Sequence, residues 1–585
     1  MNVSTQSGAP AGALFAGPGK SAVSAESRSP AHLIGQPTVD RAVRLLAITA
    51  LALPWLVATH QLPWTGFHAE MAMAVVCAAI ALGLLRRGPT PWWLPAPAVA
   101  AAALAVVPAV QYLSGQLGFF ADAWVPGLYL LAFAFAILVG ARIEARAPGT
   151  MAAILLGSFV VASFASLVLA ADQWLQSDRL IDYLHAIPPG SRPSANVGQP
   201  NKLAMLLIWG LVGLGWMRER RVIGCAVAAA AAAALLFGIV MTRSRFGTLG
   251  AGALLVAGFM VAIRRRDWRG SLAAVLLGVG FATATLGWSA INDWLQLAGP
   301  QSIEERLKPG TRPVHWQLVV QAIAQRPITG WGWQQVVVAQ QQLAPAFAPT
   351  GEIITYAHNL VLDLLVWNGV PIGGAMAGLG LYWFGRRWAT ARDASSAALM
   401  LALTMLLLYA MLELPHAYAT FLLPAGMMIG AVEASRRREA GTRAGLHLHR
   451  GAVALLLGAL LAALVATAVD YLQLEEAYTA ERLRRARIGN LELKPLPQSV
   501  LLDHLSAVLA NDRVVPAPGM SAGAIEAMQR VTERMPGYLG LLNLARAQAL
   551  NGQQDAARTT LARLCHTHPE AICAVAQQEL ASALR

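Results

Sequence analysis

Apolar residues in this chain gather into long, nearly unbroken runs, without the polar face that a half-solvated helix or strand would keep. A helix that crosses a bilayer needs about 20 mainly apolar residues. Thirteen stretches approach that length, at approximately 43–60, 69–85, 92–112, 126–141, 150–170, 202–217, 222–241, 246–263, 271–290, 358–384, 396–413, 416–434 and 451–470. The pattern predicts an all-α fold: a polytopic membrane helical bundle of about 13 spans. Lipid cannot satisfy backbone polar groups, so runs of this kind fold as helices that bond internally.

The polar gaps between the runs alternate in charge. Every second connection is basic: Arg86 and Arg87, Arg142 and Arg146, Arg218 to Arg221, Arg264 to Arg269, Arg386 with Arg387 and Arg392, and Arg436 through Arg450. The short connections 61–68 and 113–125 carry no Lys or Arg. Basic loops stay on the cytoplasmic side. The phase therefore expects a cytoplasmic N-terminus and, after 13 spans, an external C-terminal region. Residues 1–42 read as a disordered cytoplasmic tail rich in Ser, Gly, Ala and Pro, without a cleavable signal. Residues 43–470 read as the transmembrane domain, with external loops at 171–201 and 291–357, and residues 471–585 as an external helical domain. Apolar periodicity around 314–325 expects a helix within the longer loop. In the tail, Ala545, Gly552, Ala557, Leu561 and Pro569 fit the small, turn, small, large and terminating positions of a tetratricopeptide-like hairpin. Helices around 521–534 and 570–584 are expected to flank it.

Composition agrees with a lipid-solvated chain, because 56% of the 585 residues are hydrophobic and 13% charged, against about 25% charged in soluble domains. The net charge of +13 belongs to the topology signal, and no basic face interleaved with aromatics suggests nucleic acid. Cys565 and Cys573 leave a disulfide and two free thiols equally open, and no zinc spacing occurs.

Candidate chemistry lies where cations break the alternation. Arg243 and Arg245 fall at the external ends of the seventh and eighth spans, as snorkelling side chains or as an anion site whose forked donors match phosphate oxygens. The long loop adds Arg306, Lys308 and Arg312, partly offset by Asp293, Glu304 and Glu305. Trp331 and Trp333, in Gly330-Trp331-Gly332-Trp333, could stack on sugars or anchor at the interface. His358 opens the tenth span, as a surface or capping residue or as a base for an attacking hydroxyl. Asp363 lies about 140° around the helix from it, so a different buried polar partner is expected for Asp363. Gln199, Asn201, Glu413, His416 and Tyr418 border spans on the same side.

The order Ser244-Arg245-x-Gly247, Arg312-x-x-x-Trp316, Pro327-x-x-Gly330-Trp331-Gly332, His358-Asn359 and Gly369 resembles the Wzy/WaaL superfamily of bacterial O-antigen polymerases and ligases. Gly198-Gln199-Pro200-Asn201, Glu413-Leu414-Pro415 and Tyr418 through Pro424 resemble its PglL branch of O-oligosaccharyltransferases, over roughly residues 100–435. Leu414 departs from that branch, which usually has tyrosine there, and Lys202 is an unexpected neighbour. The resemblance implies an inner-membrane glycosyltransferase moving an oligosaccharide from undecaprenyl diphosphate to Ser or Thr hydroxyls of a periplasmic protein such as pilin. It implies no cofactor or metal. Arg245 and Arg312 would hold the diphosphate, His358 would act as base, and Gln199, Asn201, Arg243, Asn359, Tyr418, Trp331 and Trp333 would contact substrate. A ligase acting on lipid A-core and an O-antigen polymerase are the alternatives. A transporter is a weaker one, because the unusual charges gather at one interface rather than near the bilayer midplane.

Overall fold

A computed structural model describes residues 37–86, 91–177, 179–297, 310–442, 444–489 and 495–583. Arg306 and Lys308 lie outside these residues. Each of the thirteen apolar runs contains helix: α1 (Pro37–Ala52), α2 (Phe67–Arg86), α3 (Ala96–Leu104) with α4 (Val106–Leu113), α5 (Ala121–Arg146), α6 (Thr150–Leu175), α7 (Pro200–Glu219), α8 (Cys225–Thr242), α9 (Arg245–Arg264) and α10 (Trp268–Leu286). A short α11 (Trp288–Trp294), α12 (Arg312–Gln325) and α13 (Val336–Leu343) then precede α14 (Leu360–Thr390), α15 (Ala394–Ala410), α16 (Ala419–Glu439) and α17 (Arg450–Arg485). The loop helix expected around 314–325 is therefore α12. Among the described residues, nine helices are long and apolar enough to cross a membrane, taking α3 and α4 together as one. The other four runs fall short for physical reasons. α1 and α15 have 16 and 17 residues, while α7 and α16 are long enough but more polar.

The fold is nearly all-α. Two-residue strands β1 (Trp92–Trp93) and β2 (His447–Leu448) pair antiparallel, so the run at 92–112 begins as strand and not as helix.

Glycines bring α5 and α16 into close contact. A Cβ at Gly140 would meet the Met427 carbonyl at 2.1 Å, and one at Gly430 would meet that of Ile137 at 2.0 Å. Small residues at such crossings let backbones approach in lipid, where hydrophobicity alone does not join helices. A different glycine breaks α14. Gly369 takes φ 72°, two residues before Pro371, and interrupts the helix. The carbonyls released there are bonded by the long loop: Trp331 N–H donates to Val366 (2.8 Å) and Gly332 N–H to Trp367 (3.0 Å), while Val370 N–H donates to Pro327 (2.7 Å). The break therefore anchors the loop that carries α12.

Beyond α17 lie α18 (Asp503–Asp512), α19 (Ala522–Arg534), α20 (Tyr538–Leu550), α21 (Gln554–Thr567) and α22 (Glu570–Ala583). α20 and α21 form a helical hairpin, with Gly552 in its turn at φ 79° and Ala545 and Ala557 buried. Leu541, Leu542, Leu564 and Ala576 make one of its cores. Cys565 and Cys573 are joined as a disulfide, linking α21 to α22. This region docks on the bundle. Asp503 accepts the N–H groups of Phe120 and Ala121 at 2.9 and 3.0 Å. Arg534 pairs with the buried Asp122 at 2.8 Å. The His566 carbonyl accepts from Thr350 and Gly351 at 3.1 Å each.

Candidate active site

Glu413, in the connection between α15 and α16, is 3% exposed and gathers residues from three distant segments. Its Oε1 accepts from Asn201 Nδ2 at 2.8 Å and pairs with Arg312 Nη2. Its Oε2 lies 3.2 Å from His358 Nδ1. Glu413 is enclosed by cationic and donor groups.

Local structure aims each partner. His358 has φ 53°, and the next residue, Asn359, caps α14 by accepting from the Val361 and Leu362 N–H groups at 3.1 Å each. Asn359 Nδ2 also donates to the Met411 carbonyl at 3.3 Å, fixing the start of α14 beside the Glu413 segment. Proline near the start of α12 fits the helix's first turn, where its missing N–H costs nothing, and Arg312 opens that helix. Asn201, in the first turn of α7, turns its carbonyl oxygen to Arg192 Nη2 at 3.0 Å. Arg192 Nε reaches back to the Thr242 carbonyl at 2.8 Å. Thr242 ends α8, directly before the left-handed Arg243 and the Ser244 cap that accepts from Gly247 N–H at 3.1 Å. One hydrogen-bonded chain thus joins the Arg243–Arg245 turn, Arg192, Asn201 and Glu413 to Arg312 and His358. Arg243 is half-buried and Arg245 exposed.

A second group lies alongside. Lys202 Nζ stands 3.3 Å from the centre of the Tyr418 ring. Buried Glu70 accepts from Ala419 N–H at 3.3 Å and from the Tyr129 hydroxyl. Gln199, half-buried, precedes α7 in extended conformation.

Other expected residues take structural positions. Asp363 is fully buried, accepts from Ala357 N–H at 2.7 Å, and has His416 Nε2 at 3.3 Å, the buried polar partnership its helix position suggested. Trp331 and Trp333 are 3% and 5% exposed. The first donates to the Ala322 carbonyl at 2.8 Å, and the second packs on Trp367 at 5.2 Å. Both indoles fill the core beneath the loop, leaving neither face open to a sugar or to the membrane interface. Arg192, Glu70 and Tyr129 did not stand out in the sequence. Arg192 obeys the same signal as Arg243 and Arg245, since it is a cation in a loop expected to be external. Glu70 and Tyr129 lie within apolar runs and give no such signal.

Chemically, an imidazole that donates Nδ1–H to a carboxylate keeps Nε2 as a proton acceptor. A guanidinium has five donors, so Arg312, with 40% of its side chain exposed, keeps donors beyond its bond to Glu413. Arg312 and Arg192 face the one carboxylate of the hub, while Lys202 and Glu70 offset each other alongside, so the hub keeps an excess of positive charge that favours an anion. No group of three or more His, Cys, Asp or Glu suited to a metal ion occurs among the described residues.

Residues 230–377 match the O-antigen ligase family, and residues 397–581 match the C-terminal region of the virulence factor membrane-bound polymerases. The chain is 26% identical over 551 residues to a general O-oligosaccharyltransferase of Acinetobacter baylyi, covering 90% of this chain and 92% of that one. It is 24% identical over 325 residues to the ComP-specific O-oligosaccharyltransferase of the same organism, covering 55% and 59%. The first matched region holds the Arg243–Arg245 turn, Arg312 and His358, and the second holds Glu413 and the docked C-terminal helices. With both regions present and the similarity spread over nine-tenths of its length, the chain is similar from end to end to O-oligosaccharyltransferases of the O-antigen ligase type.

Proposed function

We propose that this protein glycosylates other proteins, transferring an oligosaccharide from a polyprenyl (undecaprenyl) diphosphate to Ser or Thr hydroxyls of a periplasmic acceptor such as pilin. The observation that carries the reading is Glu413, which ties a general-base candidate and a diphosphate-binding candidate to one carboxylate. His358 Nε2 takes the proton of the acceptor hydroxyl as its oxygen attacks the anomeric carbon. The bond from that carbon to the diphosphate oxygen breaks, and the electron pair leaves on the diphosphate. Arg312, with Arg243 and Arg245, meets the charge that develops there, which is where preorganised donors lower a barrier most. Glu413 holds the His358 tautomer and orients Arg312, and Asn201 and Arg192 hold Glu413 against the Arg243–Arg245 turn. Gln199, Lys202 and Tyr418 border the space the donor would fill. Asn359 acts by positioning His358.

In this reading the protein crosses the inner membrane thirteen times, with its N-terminus cytoplasmic and residues 471–585 periplasmic. The basic alternation supports that orientation. So does the disulfide between Cys565 and Cys573, because such bonds persist in oxidising compartments. The hairpin α20–α21 would serve as a tetratricopeptide-like element beside the site. The deciding experiment reconstitutes the purified protein with a lipid-linked oligosaccharide and offers pilin or lipid A-core. Glycan on pilin is the expected result, and glycan on lipid A-core alone would replace the protein acceptor. Alkaline phosphatase fused after residue 470 should be active, whereas fluorescence from GFP fused at that point would overturn the orientation.

A further inference from the structure

The opposite end of the bundle holds a cavity that the transfer reaction does not use. It measures about 560 Å³ and opens where the C-terminal ends of α5 and α16 part, beside the β1–β2 pair. Arg142, Arg437, Arg438 and His447 line it, with Trp93 on one wall and Ala145 in the apolar wall between the helices. No Asp or Glu is among the described lining residues. Three guanidiniums around one opening make a strong anion field, and a low-dielectric wall focuses it.

The cationic groups are held in place rather than spread in solvent. Arg142 donates to the Pro91 carbonyl at 3.1 Å and lies 5.2 Å from the Trp92 ring. Arg437 donates to the Thr442 carbonyl at 3.1 Å and lies 4.5 Å from the Trp93 ring. Arg438 is anchored by Ser435 at 3.2 Å, with Glu144 at 3.9 Å. Glu144 itself is turned to the Gly149 and Met151 N–H groups, at 2.6 and 3.3 Å. Holding a side chain in place beforehand removes part of the ordering cost of binding. Depth adds to this. The apolar runs of α5 and α16 stop at about Ala141 and Ala434, so Arg142, Arg437 and Arg438 stand where a bilayer's phosphates lie. Tryptophan also favours that level.

We propose that this cavity is a binding site for a phosphate monoester or diester, filled by the headgroup of an anionic phospholipid whose chains run along the alanine wall. Its assignment to the inner leaflet rests on the orientation proposed above. The binding does not, so a failure of one is distinguishable from a failure of the other.

The test titrates purified full-length protein in zwitterionic detergent, with bound lipid read by native mass spectrometry. Phosphatidylglycerol, phosphatidylcholine, glycerol 3-phosphate and inorganic phosphate are compared. Phosphatidylglycerol should bind about tenfold or more tightly than phosphatidylcholine, and the double variant Arg142→Gln/Arg437→Gln should lose about tenfold, as for a lost charge-assisted contact. Arg264→Gln/Arg266→Gln removes the same charge from exposed positions elsewhere and should keep full binding. Arg437→Lys retains the charge without the fork and should bind between wild type and the double variant, provided its lipid-free melting is unchanged. Equal competition by glycerol 3-phosphate would identify the natural ligand as a soluble phosphate ester in the same site. Equal binding of the two lipids to wild type, or undiminished preference in the double variant, would overturn the proposal.

Discussion

Glu413 bonds to both the proposed base and a proposed diphosphate ligand, so its removal should not resemble the loss of either one. His358→Ala deletes the proton acceptor and should lower the transfer rate by about 10²–10⁴-fold, the usual contribution of a positioned base. Glu413→Gln keeps the shape and one acceptor oxygen but no charge, leaving His358 free to adopt the other tautomer. Its turnover, measured with lipid-linked donor at saturation, should fall between wild type and His358→Ala. Wild-type turnover in Glu413→Gln would remove the carboxylate from the mechanism. Part of this was legible in the sequence. Arg243, Arg245 and Arg312 betray themselves because a membrane chain keeps most cations on one side, and the basic alternation expects these on the other. Arg192 is equally legible by that rule, as a cation in the 171–201 loop expected to be external. Glu413 was visible only as a polar residue at the end of a span. A carboxylate there is common, and only folding shows that Asn201, Arg312 and His358 converge on it.

Helices were readable from apolar runs because lipid leaves the backbone no alternative, yet interruptions inside those runs were not. Hydropathy is blind to a residue with no side chain, so the apolar pattern of 358–384 does not show that Gly369 splits α14, although Pro371 two residues on marks a weak point in the helix. The break is nonetheless what holds the loop, since Trp331, Gly332 and Val370 bond across it. A Cβ on Gly369 would lie 2.2 Å from the Ile328 carbonyl, at φ 72° and ψ 172°, a region essentially confined to glycine where an L-residue costs roughly 1–3 kcal/mol before any clash. Gly369→Ala should therefore release the Gly330–Trp333 turn and shift α12 with Arg312. We expect lower melting and loss of transfer activity together. Gly378→Ala, in the same helix with nothing near its Cβ position, should retain both. If Gly369→Ala melts and works like wild type, the loop is held by other contacts.

At the scale of the whole molecule, the C-terminal helices and the loops of the candidate site share one end of the bundle, and their joint contains a histidine that responds to pH. Arg534 stands against Asp122, which is 2% exposed. Removing one partner of such a pair leaves the other buried and uncompensated, at a cost of about 3–5 kcal/mol. Arg534→Ala should therefore undock α18–α22 without unfolding the spans, seen as protease cleavage after residue 485. His504 lies in the same joint, 6.5 Å from Phe119. Burial pushes it down to about 3, the Arg534 charge adds to that, and Asp503 opposes it. The folded joint thus keeps His504 neutral, while an undocked chain takes up a proton below its ordinary value of about 6.5. Stability is accordingly complete above that value and falls as the pH drops from it towards about 3, by about 1.4 kcal/mol per unit if nothing else titrates. Between pH 7.5 and 5 the docked segment should lose about 1–2 kcal/mol, measured as faster amide exchange in α18 and α19. His504→Phe keeps the ring contact but cannot take the proton, so its exchange should lose most of that pH dependence. Equal acceleration in wild type and His504→Phe would remove His504 as the source of the acid sensitivity.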